Sequence, residues 1–200
     1  MKIVIAGAGE VGTHLAKMLS QENQDIILMD PNEERLKFTN NMEVLAMVGN
    51  PTSLKDLQES GIKDADLFIS VTPEEPTNIT ACMLAHSLGA HKTLARINNY
   101  EYLQPKNIEI FQKLGISSMI YPEMLAAREI VTAVQRPWAR QYWELFGGAL
   151  SLIGVKVRDN APIVNKRLTD LSLDQKLYHI VAIKRCNETI IPRGTDHIAS

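Results

Sequence analysis

A doubly wound α/β fold, in which helices cover both faces of a parallel sheet, is predicted by three observations. Short apolar runs recur along the first 121 residues, helical stretches separate them, and the runs are continuously apolar rather than alternating. Continuous runs are what strands buried on both faces require. They are KIVIA (2–6), DIILMD (25–30), EVLAMV (43–48), DLFISV (66–71), TLARI (93–97) and SMIY (118–121). Six strands joined by right-handed crossovers give 3-2-1-4-5-6 as the default order, with a ligand crevice at the carboxyl ends where strands 1 and 4 diverge.

The first strand runs straight into Gly7-x-Gly9-x-x-Gly12. Gly7 permits the tight turn, Gly9 lets a diphosphate approach the main chain, and Gly12 lets the next helix pack close to the strand. That helix, with Val11, Leu15, Met18 and Leu19 at helical spacing, points free N–H groups and the positive end of its dipole at the turn. The second strand ends in Asp30, 18 residues after Gly12, near the spacing at which a carboxylate meets ribose hydroxyls. Turn and acid together predict an adenine-nucleotide or dinucleotide site. A 2′-phosphate beside Asp30 would set like charges about 4 Å apart, at a cost of ~4 kcal/mol for an effective dielectric of about 20. The following Pro31, Asn32, Glu33 and Glu34 supply no cation, so NADP is disfavoured.

Helices are expected over 31–40, 53–60, 75–88 and 106–114, with Pro76 in a first turn and Gly61, Gly89 and Gly115 just past helix ends. After Pro122 comes a further helix over 123–134, with Met124, Ala127, Ile130, Val131 and Val134 on its apolar face. Pro137 ends it, a short helix is expected over 140–146, and Gly147-Gly148 mark a boundary. Beyond lie strand-like ALSLIGVKV (149–157), HIVAIKR (179–185) and ETIIPRG (188–194). These strands, with one intervening helix, bury little alone and read as an unfinished second domain. The expected organisation is a nucleotide-binding domain over 1–135, a helical hinge over 136–148 and a partial α+β subdomain over 149–200.

A net charge of −2 and a pI near 6.2 leave no basic footprint for nucleic acid or an anionic membrane surface. Cys82 and Cys186, far apart, indicate neither a disulfide framework nor a zinc site and fit a reducing cytosol. No window approaches the roughly 18 apolar residues of a membrane span, and the start carries no secretory signal.

Taken together, the glycine turn, Asp30, VGNPT (48–52), Thr72 with Asn78, ARINNYEYL (95–103), FGG (146–148) and IIPRG (190–194) resemble the RCK/KTN regulators of potassium transport. The resemblance spans essentially the whole chain. It implies a cytoplasmic regulatory subunit without catalytic turnover, binding NAD or NADH and ATP or ADP in the cleft. It further implies dimers within a larger ring, associated through a membrane-embedded potassium-translocating subunit with the inner face of the membrane. The family pattern places Gly7, Ala8, Gly9, Glu10 and Val11 on the phosphates, Asp30 and the adjoining Pro31 at the ribose, and Gly49 and Asn50 beside the adenine. Many relatives carry Asp where this chain has Asn50. Thr72 and Asn78 would line the cleft, with Glu75 and Pro76 in place of the usual Asp-Glu pair, and Arg96 would reach toward phosphate.

The residues alone give Arg96 two readings, since a charge near the end of a central strand calls for either a phosphate or a local carboxylate such as Glu101. Helix 123–135 would be the family's crossover helix, exchanged between subunits, although its apolar face also fits packing on its own sheet. Trp138, Tyr142 and Trp143 beside Arg136 and Arg140 suit an interface or the core of a hinge. The rival class is an NAD-dependent oxidoreductase, because Tyr102 and Lys106 have a Tyr-x-x-x-Lys spacing. Pro105 interrupts the helix that pair would need, so no catalytic residue is assigned. A regulatory domain of a potassium channel or efflux system is a further alternative. The initial Met and the lack of a span favour a separate subunit. Cys82 and His86, four apart on one helix, could offer two soft ligands, but a packed helix face explains them without a metal.

Overall fold

The computed structural model describes residues 1–37, 39, 43–171 and 178–198. It divides into two compact units, Met1–Ala127 and Arg128–Ser200. The first contains a six-stranded sheet of β1 (Lys2–Ala6), β2 (Asp25–Asp30), β3 (Val44–Val48), β4 (Leu67–Ser70), β5 (Thr93–Arg96) and β6 (Ser118–Ile120), in the order β3-β2-β1-β4-β5-β6. Every pairing is parallel, and β1 is flanked by β2 and β4, with Ile5 opposite Leu28 on one side and Ile69 on the other. The expected strand order is the one found.

Between the strands run α1 (Glu10–Ser20), α2 (Glu33–Leu36), α3 (Leu54–Glu59), α4 (Glu75–Ser87) and α5 (Pro105–Lys113). The helix expected over 31–40 is shorter, and residues 38 and 40 of that stretch lie outside the described residues. Side chains alternate between the two faces of β1 and build two cores. Ile3 and Ile5 pack with Ala16, Ile26, Leu28 and Leu36 on one face; Val4 and Ala6 pack with Leu57, Phe68, Ala81 and Ala85 on the other. Helices therefore cover both faces, which is why the central runs are apolar throughout.

Cys82 lies in the second of these cores, and burial pushes its thiol up to about 12. Cys186 is exposed. Ellman's reagent at pH 8 is expected to titrate one thiol in the folded protein and two in denaturant; fast labelling of both native cysteines would contradict this packing. Because the folded thiol titrates above its ordinary value of 9.0, Cys82 favours the fold below pH 9 and progressively less as the pH rises toward 12.

The helix α6 (Pro122–Gln135) starts in the first unit and carries the chain into the second. There the sequence-based expectation is corrected. Residues 139–145, expected as part of a helical hinge over 136–148, form β7 (Ala139–Leu145), which pairs antiparallel with β8 (Leu150–Val155). Gly147 and Gly148, expected at a boundary, are the turn of this hairpin, at φ 66° and 93°. The spacing of Trp138, Tyr142 and Leu145 is helical, but Tyr and Trp fit a pleated surface well, and cross-strand partners such as Ile153 opposite Tyr142 decide the outcome. The Arg136 guanidinium lies 4.1 Å over the Tyr142 ring. Further on, β9 (Ile183–Arg185) and β10 (Glu188–Ile190) form a second hairpin, so only the end of the run 179–185 is strand. A short 3-10 turn, Leu168–Leu171, precedes residues 172–177, which lie outside the described residues.

Candidate functional site

The carboxyl ends of β1 and β4 meet where the strand order reverses, and the glycine turn fills the start of that crevice. Gly7 leaves β1 at φ 105°, and its N–H donates to the Met29 carbonyl at 2.8 Å. A Cβ on Gly12 would stand 1.8 Å from the Gly7 carbonyl oxygen, so α1 can sit this close to the turn only without one. A Cβ on Gly9 would meet no described atom within 4 Å. Gly9 is also the N-cap of α1 and offers no side-chain acceptor, leaving first-turn amides available to a ligand. Glu10 and Val11, in that first turn, are exposed.

Asp30 is only 2% exposed, yet its carboxylate is not stranded. Oδ2 accepts from the Ala8 N–H at 2.8 Å and Oδ1 from the Asn32 N–H at 2.9 Å. The acid thus fixes the middle of the glycine turn while keeping acceptor capacity for a further donor. Pro31 beside it is exposed. The absence of a nearby cation, expected from residues 31–34, is overturned. One turn of α2 brings the Arg35 Nη1 to 3.8 Å from Asp30 Oδ2, so the like-charge argument against a 2′-phosphate loses its premise.

Gly49 joins the site through its N–H, which donates to the Asp30 carbonyl at 3.2 Å. Asn50 is turned into its own loop. Its N–H donates to Asp56 Oδ2 at 2.7 Å, and its Oδ1 accepts from the Thr52 N–H and hydroxyl at 2.9 and 2.8 Å. This commits the side-chain oxygen expected beside adenine. Asp56 was invisible as a site residue because it also reads as an ordinary acid in the first turn of α3.

Thr72 lies against the turn, its backbone nitrogen 3.0 Å from where a Gly7 Cβ would be. Asn78, expected to line the cleft, is instead buried beneath it at 1% exposure. Its Oδ1 accepts from the Ser70 hydroxyl (2.9 Å), the Thr72 N–H (2.9 Å) and the Thr72 hydroxyl (2.7 Å). Its Nδ2 donates to the carbonyls of Thr72 and Arg96, both at 3.0 Å. An amide that satisfies both strand ends internally has little left for a ligand; it holds Thr72 and the end of β5 in place. Glu75, from the same turn of α4, accepts the N–H groups of Asn98 and Asn99 at 2.6 and 2.8 Å. The α4 start thereby grips the end of β5 at Arg96 and the loop that follows it.

Arg96 ends β5 and pairs with Glu123, Nη2 to Oε1 at 2.8 Å, rather than with Glu101. This partner, 27 residues away, carries no local signal in the sequence. Tyr102 sits in a 3-10 turn, Tyr100–Leu103, and Lys106 in α5, which starts at Pro105, so the two do not ride one helix. The Tyr102 ring packs 4.7 Å from that of Phe111. His86 is exposed and lies beside Gly115, where a Cβ would come within 2.2 Å of the imidazole. Among the described residues no helix is long and apolar enough to cross a membrane.

Residues 3–122 match the family model of the TrkA-N domain. The chain is 33% identical over 194 residues to a Trk system potassium uptake protein TrkA homolog of Archaeoglobus fulgidus, spanning 97% of this chain and 44% of the relative. A homolog of the same description from Methanothermobacter thermautotrophicus is 34% identical, with 96% of this chain and 87% of the relative covered. The chain spans about half the length of several curated relatives it matches. Among solved structures, the GsuK channel bound to NAD superposes with a TM-score of 0.62 at 16% identity, covering 99% of this chain and 35% of that one. The GsuK structure bound to ADP gives 0.56 at 18%, covering 68% and 35%. At these identities the structures share the fold. On the family match and the relatives' identity, this chain belongs to the TrkA-N domain family.

Proposed function

We propose that this chain is a nucleotide-sensing regulatory domain that binds NAD or NADH and ATP or ADP at the glycine turn and controls potassium flux through a membrane-embedded subunit. One observation carries the binding: Asp30 fastens Ala8 inside a turn whose Gly9 faces open space at an uncapped helix start. Such a turn is organised for phosphate before any ligand arrives, which lowers the ordering cost of binding. The potassium-uptake role is supported by the names of the relatives, and nucleotide binding by the NAD and ADP complexes of the GsuK neighbour. Gly7 to Val11 would hold phosphates, Asp30 the ribose, Gly49 the adenine side and Thr72 the opposite wall, with Arg96 facing the far end of a longer ligand.

No step of chemistry follows binding in this reading. The protein acts as a homo-oligomer on the cytoplasmic side, and nucleotides work by binding one arrangement of subunits better than another. Moving such an assembly from 1:99 to 99:1 takes about 5.5 kcal/mol of differential affinity, which several sites of roughly 1–2 kcal/mol each supply together.

Asp30→Ala is expected to weaken NADH and ATP alike, by about tenfold or more, since it frees Ala8 as well as removing the ribose acceptor. Fluorescence titration with NADH measures this; an unchanged affinity would remove Asp30 from the site. Incubation of the chain with NADH and a panel of carbonyl compounds separates regulator from oxidoreductase: NADH is expected to persist, and sustained oxidation would favour the enzyme.

A further inference from the structure

We infer that the tip of the β7–β8 hairpin is a lipid-binding wedge that enters the interfacial layer of a bilayer carrying anionic headgroups. It lies wholly in the second unit and stands apart from the nucleotide site. Side chains of a two-stranded ribbon divide between two faces. Tyr142, Glu144 and Ser151 share one, where the Tyr142 hydroxyl donates to Glu144 Oε1 at 2.9 Å and lies 3.1 Å from the Ser151 hydroxyl. Trp143, Leu145, Leu150 and Leu152 share the other, and all four are exposed. Among the described residues β7 and β8 pack chiefly on each other and on their turn, and a two-stranded hairpin with a bare apolar face is marginal in water.

Charge and shape choose lipid as the cover. The run LFGGALSLIGV, residues 145–155, carries no charge. Phe146, at the tip, is 85% exposed, more than any other large apolar side chain described. It holds φ 53°, a left-handed conformation that is costly for a bulky residue and free for glycine. Strain of this kind, on a side chain that packs against almost nothing, points to a role outside the fold. The base of the hairpin is basic: Arg136, Arg140, Lys156 and Arg158 stand against Glu144 and, next in line, Asp159, although the whole chain has a net charge of −2. Arg140 is five residues from Leu145, about 17 Å along an extended strand. A tip sunk about 5–10 Å past the headgroups leaves these long cations level with anionic phosphates. Trp138 and Trp143 then fall in the interfacial zone that such rings favour. A second copy seated on the flat face would cover Trp143 and Leu152 but gain little from Phe146, at the end of the ribbon.

Trp138 and Trp143 are the chain's two tryptophans, so intrinsic emission reports on this hairpin. The full chain is mixed with vesicles of phosphatidylcholine, alone or with phosphatidylglycerol, at low and high salt, and binding is read by flotation and by emission. Vesicles with phosphatidylglycerol are expected to shift emission to the blue and to float with the protein, less so at high salt, and neutral vesicles to bind at least about tenfold more weakly. Phe146→Gly relieves the backbone, so its Tm should be unchanged or higher while its affinity for the anionic vesicles falls about tenfold. No binding to anionic vesicles at low salt, equal binding to neutral ones, or full affinity in Phe146→Gly overturns the wedge. Blue emission without vesicles that fades on dilution would place a second copy on the apolar face and overturn it as well.

Discussion

Gly12→Ala is expected to cost the first unit about 3–4 kcal/mol and to abolish nucleotide binding, whereas Gly9→Ala should leave the fold almost intact and remove binding alone. The two glycines stand three residues apart in one motif but answer to different neighbours. At Gly12 the new methyl meets the Gly7 carbonyl oxygen at 1.8 Å, a backbone atom that can yield only if α1 or the turn shifts. At Gly9 it enters open space, and the backbone there, φ −76° and ψ −172°, is one that alanine adopts readily. A shift of 3–4 kcal/mol corresponds to a fall in Tm of roughly 10 °C for a chain of this size. Thermal unfolding followed by circular dichroism checks the first effect. Equal stability losses in the two variants would show that the packing argument is wrong.

Asn78→Ala is expected to destabilise the first unit by about 3–5 kcal/mol, because it strips partners from several buried groups at once. The Ser70 hydroxyl, the Thr72 N–H, and the carbonyls of Thr72 and Arg96 bond to this one amide. Asn78→Asp keeps the accepting oxygen but turns a second, charged oxygen on the carbonyls of Thr72 and Arg96 in a buried site, so it should cost at least as much as alanine. Urea unfolding at constant m-value reads the order directly. A loss under 1 kcal/mol for the alanine variant would mean that solvent reaches these groups and that Asn78 lines the cleft after all.

These effects show which parts of the molecule a sequence can disclose. The sheet was legible because β1, β2 and β4 are apolar for lack of any solvent-facing side, a signal contained within each strand. The glycine turn was legible because Gly7, Gly9 and Gly12 serve one local geometry, and Asp30 because β2 pairs with β1 in register and delivers it there. What stayed hidden was carried by partners distant in sequence or by tertiary context. Asn78 was recognised, but its burial depends on α4 packing against the ends of β4 and β5. Glu123 and Asp56 looked like ordinary helix-start acids, and Arg35 is returned to Asp30 by a single helical turn. The segment 139–145 misled because its apolar spacing suits a helix, whereas its state is set by pairing with β8 across a Gly147-Gly148 turn.

Central to the proposed function is phosphate occupying the space over Gly9. Calorimetric titration of the wild-type chain and Gly9→Ala with ATP and NADH tests it most directly. Saturable, sub-millimolar binding by the wild type, lost in a folded Gly9→Ala, is the predicted result. Absence of saturable binding by the wild type, or undiminished binding by Gly9→Ala, would contradict it.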